Sequence, residues 1–256
     1  MRNVFYIMRK ELKSYFTSPV AYVIGGIFLS IAGYFFYSIL TFFSLLSLQY
    51  MQSPYMMNNL NLNEMLIRPL YGNMGVILLF IAPLLSMRII AEEKKLGTIE
   101  LLYTSPLRLS EIITGKFLAA LSVFIIILIP TLEYPVVLLL GGNPDTGPLI
   151  STYIGLILLG AAFISIGLFT SSITENQMVA GVSAFGILLL LWVLGWAKQS
   201  VDPPYGDILG YLSLVEDHYE NFLKGIIDTK DIIYYLSVVF FGLFLAQRVL
   251  ESRRWR

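Results

Sequence analysis

One acid lies within strongly apolar surroundings: Glu133, in the stretch Leu128 to Leu140, flanked by Pro130 and Pro135. A carboxylate in hydrocarbon is costly and ordinarily faces water or protein, and the prolines free backbone carbonyls beside it. Glu133 is therefore a candidate for a translocation route or gate. The plainer alternative is a structural role, at the outer interface or in bonds to neighbouring helices. His218 is the single histidine and there is no cysteine, so a typical zinc set cannot be assembled. Disulfides and thiol nucleophiles are excluded too. H-E-x-x-H is missing, and no catalytic, metal-binding or cofactor-binding residue is nominated. The phosphate-cradling pattern G-x-x-x-x-G-K-[ST] is also absent; Gly115-Lys116 is followed by Phe117 and lacks the upstream glycine. Any ATP chemistry must come through another chain.

The most informative run of charge reads RIIAEEKKLGTIELLYTSPLRLSEIITGK, from Arg88 to Lys116. Glu92, Glu93, Lys94 and Lys95 read as the solvated extension of a helix that Gly97 ends. Thr98 suits the start of a short helix, with Glu100 near its positive end, and Pro106 stops it. Ile99, Leu102 and Tyr103 form one apolar edge. Such an edge is costly in water unless something covers it, either the inner surface of this same chain or a separate protein.

The elements that carry these residues follow from hydropathy. Of 256 residues, 57% are hydrophobic and 13% charged, against about 45–50% and about 25% in a soluble domain. Six apolar runs are long enough, at 1.5 Å per residue, to cross about 30 Å of hydrocarbon: about Val20 to Leu46, Tyr71 to Ile90, Gly115 to Leu140, Leu149 to Ser172, Met178 to Ala197 and Ile232 to Val249. The two-residue alternation of a membrane barrel is lacking, and helices satisfy their own backbone in lipid. The expected fold is an all-α integral membrane protein, one domain over residues 1–256. Lys and Arg cluster in the N-terminal segment, the second-to-third connection and the C-terminus, which predicts both termini in the cytoplasm.

Residues 1–18 carry apolar positions at helical spacing beside Arg9, Lys10 and Lys13, and predict an amphipathic interfacial helix. That helix either anchors in anionic lipid or also abuts a cytoplasmic partner; no removable signal peptide is expected. Seventeen basic and 17 acidic residues balance, which gives no support for nucleic acid. The 198–231 connection reads equally as a re-entrant or interfacial segment and as a surface loop. Its acids (Asp202, Asp207, Glu216, Asp217, Glu220, Asp228, Asp231) are expected to form a solvated face, with a cation site as the alternative.

The string EEKKLGTIELLYTSPL resembles the coupling-helix region of ABC-2 type transporter permeases. KELKSYFTSPVAYV is similar to the approach to the first span in that family, and SSITENQMVA to its fourth-to-fifth connection. The likeness is greatest to the gliding-motility-type and nitrous-oxide-reductase-maturation-type permeases. It implies a six-helix permease, type V ABC exporter-like, in a bacterial cytoplasmic (inner) membrane, pairing with a second copy or homologue. A cytoplasmic ABC ATPase subunit would hold ATP and Mg and dock on a coupling region within residues 88–114. By position, the resemblance assigns Glu92, Glu93, Gly97, Thr98, Glu100, Leu101, Leu102, Tyr103, Thr104, Ser105 and Pro106 to that contact. Thr174, Glu175 and Asn176 form a smaller second one. The implied function is ATP-driven export; the alternatives are an ATPase-coupled scaffold that transmits force without moving solute and, third, an integral membrane enzyme.

Overall fold

In the computed structural model, residues 2–51, 61–100, 107–142, 144–198 and 200–254 are described, and their regular structure is helical throughout. Helix α1 (Arg2–Thr17) meets α2 (Pro19–Met51) at a one-residue bend, with Pro19 in the first turn where its missing N–H costs nothing. A π-helical turn, Asn63–Ile67, leads into α3 (Arg68–Ser86), and a turn separates that from the short α4 (Ala91–Lys95). Helix α5 (Leu109–Leu128) passes through a 3-10 turn at Ile129–Leu132 into α6 (Glu133–Gly141), so Pro130 tightens the third span without ending it. Then follow α7 (Thr146–Ile173), α8 (Gln177–Lys198), α9 (Tyr205–Leu212), α10 (Tyr219–Leu223) and α11 (Thr229–Arg254).

Six of these stretches are long and apolar enough to cross a membrane: Pro19–Gln49, Asn63–Lys95, Leu109–Gly141, Thr146–Ile173, Gln177–Lys198 and Thr229–Ser252. The second, third and fourth form the interior, 72%, 61% and 67% buried over their most apolar stretch, against 22%, 22% and 17% for the other three. Helix α7 is the hub, touching α3, α5, α8, α10 and α11. Small residues bring the backbones together, as packing rather than water drives association in lipid. A methyl group on Gly160 would overlap the Phe124 ring, and one on Gly167 would overlap the Ser86 side chain.

The 198–231 connection is largely folded into the protein. His218, Tyr219, Phe222 and Leu223 are buried. The Tyr219 hydroxyl donates to the Tyr71 carbonyl (2.9 Å), and Ser151 Oγ donates to Phe222 O (2.7 Å). Phe222 fits against Gly155, where a Cβ would come within 2.6 Å of it. That lies nine residues, about 13 Å, along α7 from its start. Three of the acids expected on a solvated face are drawn into pairs within the fold, Asp217 with Lys198 (2.5 Å), Glu220 with Arg68 (2.6 Å) and Asp231 with His218 (2.8 Å), while Asp202 and Asp207 stay exposed and Asp228 pairs with Lys230 (3.2 Å) at the surface. The Lys230 backbone N–H and ammonium hold the Asp228 carboxyl below the usual range. Among the described residues no cluster of three acids or histidines is placed to hold a metal.

Candidate functional site

The site gathers at the basic end of the bundle, where α1, the turn after α3, α4 and the ends of α5, α7 and α11 meet. Apolar residues of α1 lie against the start of α5, with Ile7 filling the space left by Gly115. Part of the apolar surface of α1 is thus covered by protein, while Arg2, Phe5, Tyr6, Arg9, Lys10 and Lys13 stay exposed. Glu111, in the first turn of α5, accepts from the Arg108 backbone N–H (3.1 Å) and from Asn3 (3.2 Å). Helix α5 therefore begins at Leu109, six residues before the apolar run that the sequence marks.

Lys116 is the centre of this end. Its ammonium, only 2% exposed, contacts Glu11 of α1 (3.0 Å) and Glu93 of α4 (2.8 Å), and donates to the Ile89 carbonyl (3.0 Å). A buried cation tolerates this depth only when paired and hydrogen-bonded. Three chain segments far apart in sequence are thus tied to one nitrogen. Tyr15 adds a second tie: its hydroxyl donates to Leu85 O (2.7 Å), and the Arg88 guanidinium lies 4.6 Å over its ring. Burial pushes the Tyr15 phenol well above its ordinary value, outweighing the Arg88 charge, so it remains a donor.

On the other side α4 is fastened to the end of α7. Ser171 Oγ accepts from the backbone N–H groups of Ile90 (3.1 Å) and Ala91 (3.0 Å) and donates to Met87 O (2.9 Å). These N–H groups lie at the start of α4, where an intrahelical partner is missing. The Lys94 ammonium donates to the Ser172 carbonyl.

The segment so held presents one edge outward. Gly97 takes φ +69, a left-handed conformation that ends α4, and Thr98 Oγ1 donates to Glu93 O (3.3 Å). Glu92, Lys95, Leu96, Gly97, Thr98 and Glu100 are exposed, Leu96 by 67%. Residues 99 and 100 are helical. Leu101, Leu102, Tyr103, Thr104, Ser105 and Pro106 lie outside the described residues. Helix α4 also touches both α7 and α8, which the turn Thr174–Asn176 joins. Among the described residues, α4 thus lies beside the two helices that this turn connects. In that turn Asn176 Oδ1 accepts from Met178 N (2.9 Å) and so caps α8.

Glu133 stands apart. It is exposed on the third span and makes no hydrogen bond or ion pair among the described residues, whereas Tyr134 turns inward to stack on Phe36 at 4.6 Å. Sequence reasoning missed Lys116 and Glu11 as a pair and Ser171 as a cap. Lys116 reads from sequence as one of the connection charges, although a lysine preceding sixteen uncharged residues already asks for a counter-charge.

A search among curated proteins gives no match. A family model described as ABC-2 family transporter protein matches residues 5–227, which takes in five of the six spanning helices and the Lys116, Glu11, Glu93 and Ser171 contacts of the basic end. By that match the chain belongs to the ABC-2 transporter family, as a multi-pass membrane component of transport.

Proposed function

We propose that this chain is the permease subunit of an ATP-binding cassette transporter, which exports its cargo across a bacterial inner membrane with energy from a separate ATPase. It works as a pair, with a second copy or a related permease. The observation that supports this reading is that α4, tied through Lys116 and Ser171 to α1, α5 and α7 and touching the two helices that the 174–176 turn connects, leads straight into the exposed Leu96, Gly97 and Thr98. In this reading the basic end faces the cytoplasm, as its lysines and arginines favour. The ATPase holds ATP and Mg and grips the edge formed by Leu96, Gly97, Thr98 and the segment through Pro106. Its closure pulls on α4. Lys116 passes the pull to α1 and α5, and Ser171 and Lys94 pass it to α7, so the spans re-tilt together. Glu133, a charge exposed at membrane depth, belongs in this scheme to the translocation route or its gate.

The test is copurification. The chain should bring down a P-loop ATPase, and Leu96→Asp or Leu102→Asp should reduce the recovered ATPase at least tenfold while membrane insertion is unchanged. Undiminished recovery with both variants would remove this edge from the contact.

A further inference from the structure

A cavity of about 400 Å³ lies between the fourth, fifth and sixth spans. Both α8 and α11 lean on α7. Phe169 of α7 forms the back wall, Ile187 and Leu191 of α8 one side, and Val238 and Phe241 of α11 the other. Ser237 and Phe241 are exposed, so the cleft opens toward the surroundings of the bundle. Leu212 and Leu214 close its far end. This roof is fixed from below, since Tyr234 donates to Leu212 O (3.0 Å) and Tyr235 to Leu214 O (2.6 Å).

The cleft is dry by construction. Its two side-chain hydroxyls are already committed as donors, Tyr234 to Leu212 O and Ser237 to Tyr234 O (2.6 Å). A water needs two to four polar partners, and the rest of the lining offers apolar side chains. An empty space of this size forfeits dispersion contacts on every wall. Along α11 the lining runs from Tyr234 to Leu245, eleven residues or about 16 Å. Half of a bilayer's hydrocarbon is about 15 Å. The cleft thus has the length of one leaflet's acyl chain, opens sideways at membrane depth, and is capped at the end nearer the headgroups.

We infer that this cleft is a binding site for one acyl chain of a bilayer phospholipid, entering laterally between α8 and α11. The inference is independent of the ATPase reading. The chain acts as a wedge that fills the space behind Leu191 and Val238 and keeps α8 and α11 apart under the roof.

The full chain would be reconstituted in vesicles of phosphatidylethanolamine and phosphatidylglycerol containing a phosphatidylethanolamine with a photoactivatable diazirine on its acyl chain. After illumination, adducts are mapped by mass spectrometry. Adducts on Ile187, Leu191 and Val238 should exceed those on the exposed Leu236 and Phe240, outside the cleft, at least fivefold. Ile187→Trp and Val238→Trp, which fill the cleft from opposite sides, should each abolish that excess, while Phe240→Trp should leave it intact. Equal labelling inside and outside the cleft in the unmodified protein would overturn the proposal, as would a Val238→Cys cross-link showing a second copy seated there. The unmodified pattern decides even where a filled variant fails to fold.

Discussion

At the basic end one buried lysine, Lys116, is shared by acids from two other segments, Glu11 and Glu93; at the far end one buried histidine, His218, is matched to a single acid, Asp231. The difference lies in what each pairing joins. Lys116 links α1, α4 and α5 behind an edge that stays exposed. His218 contacts Asp231 Oδ1 and the Tyr211 carbonyl (3.1 Å) and stacks on Tyr234 at 3.7 Å, while Asn221 donates to the other Asp231 oxygen (2.9 Å). Every partner there belongs to α9, α10 or the start of α11. Similar chemistry gives a hub that reaches outward at one end and a closed clasp at the other. In the proposed scheme the first transmits and the second seals.

Breaking the hub should have the largest effect. Lys116→Met removes the buried cation between Glu11 and Glu93 and leaves Glu11 only the exposed Lys10 at 3.9 Å, at a cost of about 3–5 kcal/mol. The midpoint of thermal unfolding in detergent should fall, and any ATPase that still binds should lose its response to the permease. Lys116→Arg should restore part of both. A Met variant as stable and as well coupled as the unmodified chain would deny the hub its role.

A smaller effect is expected from His218→Leu. Asp231 keeps its Asn221 bond, so the loss is about 1–3 kcal/mol. Limited proteolysis should then cut residues 205–228 faster, while ATPase recovery stays normal. Loss of ATPase binding in this variant would erase the distinction between the two ends. Smallest in stability is Glu133→Gln, because the side chain is exposed and unpaired among the described residues. Assembly and melting should be unchanged, with transport or transport-coupled ATP hydrolysis reduced severalfold. Full transport by a well-assembled Gln variant would reject a charge-dependent role.

The six spans were legible because burial in lipid is written in local composition. Gly97 was legible as a cap because a left-handed residue is a local demand. The partners of charges were not legible. Glu220 finds Arg68 across 152 positions and Tyr219 finds Tyr71 across 148, and nothing near either residue announces it. Thus Asp217, Glu220 and Asp231, expected on a solvated face, are paired within the fold of the 198–231 connection. Likewise α1, expected to be an amphipathic interfacial helix, packs part of its apolar surface on α5 while Phe5 and Tyr6 stay exposed, because periodicity reveals an apolar face but not what covers it.

The chain contains no cysteine, so Thr98→Cys creates a unique probe on the edge that the ATPase is proposed to grip. Its reaction with a membrane-impermeant maleimide tests the account most directly. The account predicts no labelling in intact cells, rapid labelling in inverted vesicles stripped of ATPase, and at least fivefold protection when a copurifying P-loop ATPase is added back. Labelling from outside intact cells, or the same rate with and without that ATPase, would contradict it.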